Sequence, residues 1–134
     1  MRVADASVLV EYLAGGVHGE ASRRQIGRVS PGWLWAPYLV DAEVGHALRG
    51  AVRAGKISDR KARAALADLF DMRLQRVPHN LLVGRAWELR QNVSYYDGLY
   101  VALAEALGVP LLTLDARLAR APGLRAEIEV VAPV

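Results

Sequence analysis

Apolar residues recur along this chain in two rhythms. From Tyr38 to Ala54, Val40, Val44, Ala47, Leu48 and Ala51 return at the 3.6-residue period, which predicts an amphipathic helix closed by Gly55. Ser58 (or Asp59) opens another, with Ala62, Ala65, Leu66 and Leu69 as its buried stripe. Tyr96–Leu107 reads as a third, carrying Leu99, Ala102, Leu103, Ala106 and Leu107 on one face and Gly108 behind it. Shorter helices are predicted from a Ser7 cap to Ala14, where Gly15-Gly16 stops the chain, over Glu20–Val29, from an Asn80 cap to Gln91, and from Asp115 to Ala121. Between them lie compact apolar runs of strand length: Arg2–Ala6, Leu74–Val77, Leu111–Leu114 and Ile128–Val131. Trp33–Pro37 is either a short strand or an extended connection.

Strands that alternate with helices predict an α/β fold: a three-layer α/β/α sandwich around a short, mainly parallel sheet. In such sheets ligands bind beyond the carboxyl ends of the strands, so acids at those ends matter most. The length of 134 residues suits a single domain, residues 1–134, with one core. The absence of cysteine excludes a disulfide scaffold, a zinc–thiolate site and thiol catalysis. No apolar run approaches the roughly 18 residues needed to cross a bilayer, and Asp5 interrupts any export signal, so a cytoplasmic protein with no membrane partner is expected.

Four carboxylates stand out by position. Asp5 closes the first strand and Asp115 follows the apolar run 111–114. Asp97 lies in the first turn of its helix, and Glu43 borders the apolar stripe of the 38–54 helix. Taken singly, each has a structural explanation as a cap, a dipole partner or a boundary residue. Together, two end strands and two lie on helices entered from the same edge of the sheet. Four converging carboxylates would repel by roughly 4 kcal/mol per close pair at an effective dielectric near 20, so cations must neutralise them. Hard oxygen ligands point to Mg²⁺ or Mn²⁺. A cation held this way lowers the pKa of its water and clamps phosphate oxygens, which is the chemistry of phosphodiester hydrolysis.

The same residues carry a resemblance. Asp5-Ala6-Ser7-Val8-Leu9 and Pro37-Tyr38-Leu39-Val40-Asp41-Ala42-Glu43-Val44 resemble the opening motifs of PIN-domain nucleases. Tyr96-Asp97-Gly98-Leu99-Tyr100-Val101-Ala102-Leu103-Ala104-Glu105, joined to Pro110-Leu111-Leu112-Thr113-Leu114-Asp115, is similar to toxin ribonucleases of the VapC type. The resemblance covers nearly the whole chain. It implies Asp5, Glu43, Asp97 and Asp115 as catalytic, metal-holding acids, with Ser7 and Thr113 as small polar groups beside the metal. It further implies a Mg²⁺- or Mn²⁺-dependent endoribonuclease, the toxin of a type II toxin–antitoxin pair, that hydrolyses RNA through metal-activated water. A homodimer and an antitoxin whose C-terminal segment covers the site, often with an arginine among the acids, belong to the same picture. Some relatives carry a further acid two residues after the fourth; here that position is Arg117.

Charge agrees with an RNA substrate. Setting the four acids aside leaves 17 cations against 10 anions, a balance of +7 around an acidic notch. Arg49, Arg53, Lys56, Arg60 and Lys61 are candidate rim contacts, and Tyr12, Leu13 and Ala14 a candidate dimer face. The Trp33 and Trp35 rings suit packing better than base stacking. Competing readings are a PIN domain that binds RNA or regulates without turnover, and a structure-specific DNA nuclease. The pair Glu43 and His46 has di-iron spacing but no second pair, and His18, His46 and His79 form no acid–base pattern. Asp41, about 160° around the helix from Glu43, is expected outside its site.

Overall fold

A computed structural model of the chain describes residues 1–132. Five strands, β1 (Arg2–Ala4), β2 (Leu34–Pro37), β3 (Leu74–Val77), β4 (Leu111–Thr113) and β5 (Ile128–Val130), form one sheet in the order β3-β2-β1-β4-β5. All four pairings are parallel. The segment left open between strand and connection is thus a true strand, paired on both sides. In the central strands Val3, Ala4, Leu111, Leu112 and Thr113 are all buried, with no alternation, because helices cover both faces of the sheet.

Helices α1 (Ala6–Ala14), α2 (Gly19–Gly27), α3 (Leu39–Arg53) and α4 (Asp59–Asp71) lie on the connections that run from β1 through β2 to β3. Helices α5 (Val83–Glu88) and α6 (Tyr95–Leu107) lie on the return from β3 to β4, and α7 (Ala116–Arg120) on the step to β5. The chain moves outward one way and then the other, and right-handed crossovers in opposite directions place their helices on opposite faces. This makes the three-layer α/β/α sandwich. The order reverses between β1 and β4, whose carboxyl ends therefore flank the switch-point crevice.

Several boundaries differ from the pattern-based expectation. Strand β1 stops at Ala4, and Asp5, not Ser7, caps α1 by accepting from the Val8 amide at 3.3 Å. Asn80 caps nothing: His79–Leu81 is a single 3₁₀ turn, and α5 ends at Glu88, three residues early. Helix α6 begins at Tyr95 because Ser94 caps it, accepting from the Asp97 amide at 3.0 Å. Gly108 ends it in the left-handed conformation, at φ 67°.

Three apolar residues placed in buried stripes lie outside. Ala47 and Ala106 are exposed, and Leu66 is 44% exposed. Each stands at the edge of its stripe, where period alone does not separate half-buried from open. Helix α6 is buried around its whole circumference from Gly98 to Ala104, because it sits on β1, β2 and β4 and is covered by α5. Ala14 is buried, and Tyr12 and Leu13 are partly buried against the core. Trp35 packs against the core, whereas Trp33 remains 52% exposed. Among the described residues no helix is long and apolar enough to cross a membrane.

Candidate active site

The residues at the carboxyl ends of β1 and β4 are tied together by two hydroxyls. Ser7 donates to Asp5 Oδ1 at 2.5 Å and its oxygen accepts from the Leu114 amide at 3.2 Å. Thr113 donates to Asp5 Oδ2 and accepts from the Asp115 amide at 3.0 Å. Both oxygens of Asp5 are therefore oriented, while the residue is only 8% exposed. Burial pushes its carboxyl up to about 6, against the opposing pull of Ser7, Thr113 and the Val8 amide. Ser7 borders the open site. Thr113 is fully buried and reaches it only through the two acids it orients.

Glu43 projects from the second turn of α3 and is half-buried. Its Oε1 accepts from the Tyr100 hydroxyl at 2.7 Å, a contact spanning 57 positions of sequence. Burial raises its carboxyl, the Tyr100 bond lowers it, and Asp97 adds a further upward push. The amino end of α3 is itself held from a distance, since the Leu39 amide donates to His79 Nε2 at 2.8 Å. This gives His79 a positioning role for α3. His46 is exposed, and Asp41 is committed to Arg76, which donates to it at 2.7 and 2.9 Å, so neither joins the acids.

Asp97 and Asp115 complete the set. Asp97 stands in the first turn of α6 and is pushed up by burial and by the Asp115 charge. Asp115 caps α7 and is held below the usual carboxylate range, chiefly by Arg117. The like-charge effects share one centre: Asp97 raises both Asp5 and Glu43, and is raised by Asp115. All four acids line one open notch of about 380 Å³, with Ser7, Tyr100 and Arg117 in its walls. Beside it, between α1 and α3, runs an apolar groove of about 740 Å³ lined by Val10, Leu39, Ala47 and Tyr96, and sharing Ser7 and Glu43 with the notch.

Among the described residues no three acidic or imidazole side chains close tightly enough to hold an ion as they stand. Three of the four acids already accept from side chains: Asp5 from Ser7 and Thr113, Glu43 from Tyr100, and Asp115 from Arg117. The donor set nevertheless fits a hard divalent cation, being all oxygen and carrying mutual repulsion that only positive charge relieves. Tyr100, Ser94 and Arg117 were missing from the site as read from sequence. Tyr100 was detectable, lying three residues after Asp97 on the same helical face, and Ser94 starts a Ser-x-x-Asp capping pattern.

The PIN domain family model matches residues 2–124, and the chain belongs to this family, in its VapC branch. It is 51% identical over 130 residues to Ribonuclease VapC1 of Mycobacterium tuberculosis, with 96% of each chain covered. In three dimensions it resembles M. tuberculosis VapC20, described as a sarcin–ricin loop cleaving toxin, with a TM-score of 0.69 at 20% identity over 92% of this chain and 96% of that one. It also resembles a toxin–antitoxin complex from Klebsiella pneumoniae, with a TM-score of 0.68 at 16% identity over the full length of both chains. At those identities the two structures speak for the fold alone.

Proposed function

We propose that this single-domain protein is a Mg²⁺- or Mn²⁺-dependent endoribonuclease, the cytoplasmic toxin of a toxin–antitoxin pair. One observation carries the reading: four acids from four separate elements line one notch at the switch point of the sheet. Kinship with VapC1, a named ribonuclease, supports the substrate class.

Asp5, Glu43, Asp97 and Asp115 would hold the metal. When bound, it lowers the pKa of a water and neutralises phosphate charge. The chain supplies the geometry. Ser7 and Thr113 fix both oxygens of Asp5, Tyr100 fixes Glu43, and Ser94 fixes the turn that carries Asp97. Asp5, with its carboxyl raised to about 6, is ionised at neutral pH and so available as a ligand. Water attacks phosphorus in line and the 3′-oxygen departs, so the 2′-hydroxyl takes no part. The exposed cations Arg49, Arg53, Lys56, Arg60 and Lys61 offer charge for the RNA strand.

The partners are a second copy of the chain and a small antitoxin. The apolar groove beside the notch gives an antitoxin segment a place to lie while an arginine from it enters the acids. The chemistry is tested on the fragment ends of defined, end-labelled RNAs. A 5′-phosphate and a 3′-hydroxyl are expected; a 2′,3′-cyclic phosphate would show that the 2′-hydroxyl is the nucleophile and contradict the scheme.

A further inference from the structure

Asp115 is the one acid of the notch that already has a cation. Arg117 donates from Nε to Oδ1 at 3.1 Å and from Nη2 to Oδ2 at 3.0 Å, so the guanidinium grips both carboxylate oxygens. The backbone amide of Arg117 adds a third bond to Oδ1 at 2.9 Å. The geometry is two-pronged, the arrangement in which arginine binds carboxylates and phosphates best. Yet the Arg117 side chain is 85% exposed, with no other hydrogen-bond partner among the described residues. This side chain thus has Asp115 as its one hydrogen-bond partner among the described residues, and the rest of it faces solvent. It also stands on a boundary: Arg117, Asp97 and Asp115 line the acid notch on one side and, on the other, a second pocket of about 290 Å³ that includes Asn92 and Ser94.

We propose that Arg117 is a counter-ion built into the notch, which a divalent cation must displace from Asp115, and that the displaced guanidinium then grips an RNA phosphate at the mouth of the site. This rests on the metal-dependent reading above. The Asp115 oxygens, bonded to Arg117, become ligands; Arg117 loses its carboxylate and faces a pocket edge where a polyanion passes. A fork that fits a carboxylate also fits a phosphate. Occupation of the site by metal and recognition of RNA are thereby coupled through one side chain. Arg117 is in this sense a positioning residue, acting on metal through Asp115 and on substrate through phosphate.

The test compares wild type, Arg117→Ala and Arg117→Lys. Mn²⁺ binding is followed without RNA, by loss of the free-ion electron paramagnetic resonance signal. Removing a competing charge beside Asp115 should tighten Mn²⁺ binding about three- to tenfold in Arg117→Ala, with Arg117→Lys in between. At saturating Mn²⁺, cleavage by Arg117→Ala should show a KM raised about tenfold with kcat changed little, and lysine should restore part of the loss. Equal Mn²⁺ affinity in wild type and Arg117→Ala would overturn the proposal, and so would an unchanged KM. A titration in which neither protein binds Mn²⁺ would contradict the metal-dependent nuclease itself, an outcome distinct from equal, measurable affinities.

Discussion

The Tyr100 hydroxyl donates to Glu43 Oε1 at 2.7 Å, joining the helix that carries Asp97 to the helix that carries Glu43. Tyr100 is itself 2% exposed and among the largest fully buried side chains, so its oxygen has little choice of partner. Burial and the charges of Glu43, Asp5 and Asp97 push the phenol far above its ordinary value, which keeps it a donor at every working pH. Tyr100→Phe should cost about 1.5–3 kcal/mol of stability, the worth of a bond to a charged acceptor. It should also weaken Mn²⁺ binding several-fold by releasing the Glu43 carboxylate. Chemical denaturation and Mn²⁺ titration of the variant check both.

Asp97 is the hub of the repulsion, raising Asp5 and Glu43 and being raised by Asp115. In metal-free protein Asp97→Asn should therefore increase Tm, by about 2–5 °C for roughly 1 kcal/mol relieved in a domain of this size. Saturating Mg²⁺ should reverse the order, because ligation stabilises only the protein that can bind. Scanning calorimetry in EDTA and in Mg²⁺ tests this. An unchanged or lower Tm in EDTA would mean that the carboxylates do not repel one another.

The pH dependence of the metal-free protein follows from Asp5. Its carboxyl lies near 3.8 in the unfolded chain and about 6 in the folded one, so the folded state binds the proton more tightly. This group's stabilising contribution is complete below pH 4 and is lost as pH rises through 6, amounting to about 3 kcal/mol. Urea midpoints in EDTA should fall across that window, and Asp5→Asn should flatten the fall. Because metal and proton compete for the same oxygens, Mn²⁺ affinity should drop below pH 6.

Gly98, next to Asp97, is where α6 meets α5. A Cβ there would stand 3.2 Å from both the Cα and the carbonyl oxygen of Ala86, and 3.3 Å from its Cβ. Backbone atoms cannot step aside as a flexible side chain would. The usual helical gain of about 1 kcal/mol for glycine to alanine is therefore outweighed. Gly98→Ala should destabilise by about 1–3 kcal/mol and lower activity by shifting Asp97. Equilibrium unfolding together with cleavage rates of the folded variant checks it.

The parallel sheet and the positions of all four acids were legible in the sequence, because both depend on short-range signals: apolar runs of strand length, and acids at strand ends or in first helical turns. What escaped depends on contacts between distant segments. The resemblance already puts Ser7 beside the acids, but its pattern as a helix cap gives no sign that its hydroxyl serves the Asp5 carboxylate and, across 107 positions, the Leu114 amide. His79 had no local pattern because its partner is the Leu39 amide, 40 positions away. Tyr100 lies in an apolar helical run and reads as core until Glu43 is placed opposite it. The clamp of Arg117 on Asp115 is local, but an arginine two residues after an acid at an exposed helix start has the same pattern as ordinary surface charge.

The central claim is that metal and the acids together cut RNA. It is tested most directly by incubating antitoxin-free protein and its Asp97→Asn variant with defined, end-labelled RNAs in Mg²⁺, in Mn²⁺ and in EDTA. Cleavage by wild type in either metal, abolished by EDTA and by Asp97→Asn, is the predicted result. Intact RNA under every condition, with RNA still bound, would contradict the nuclease and leave a domain that binds RNA without turning it over.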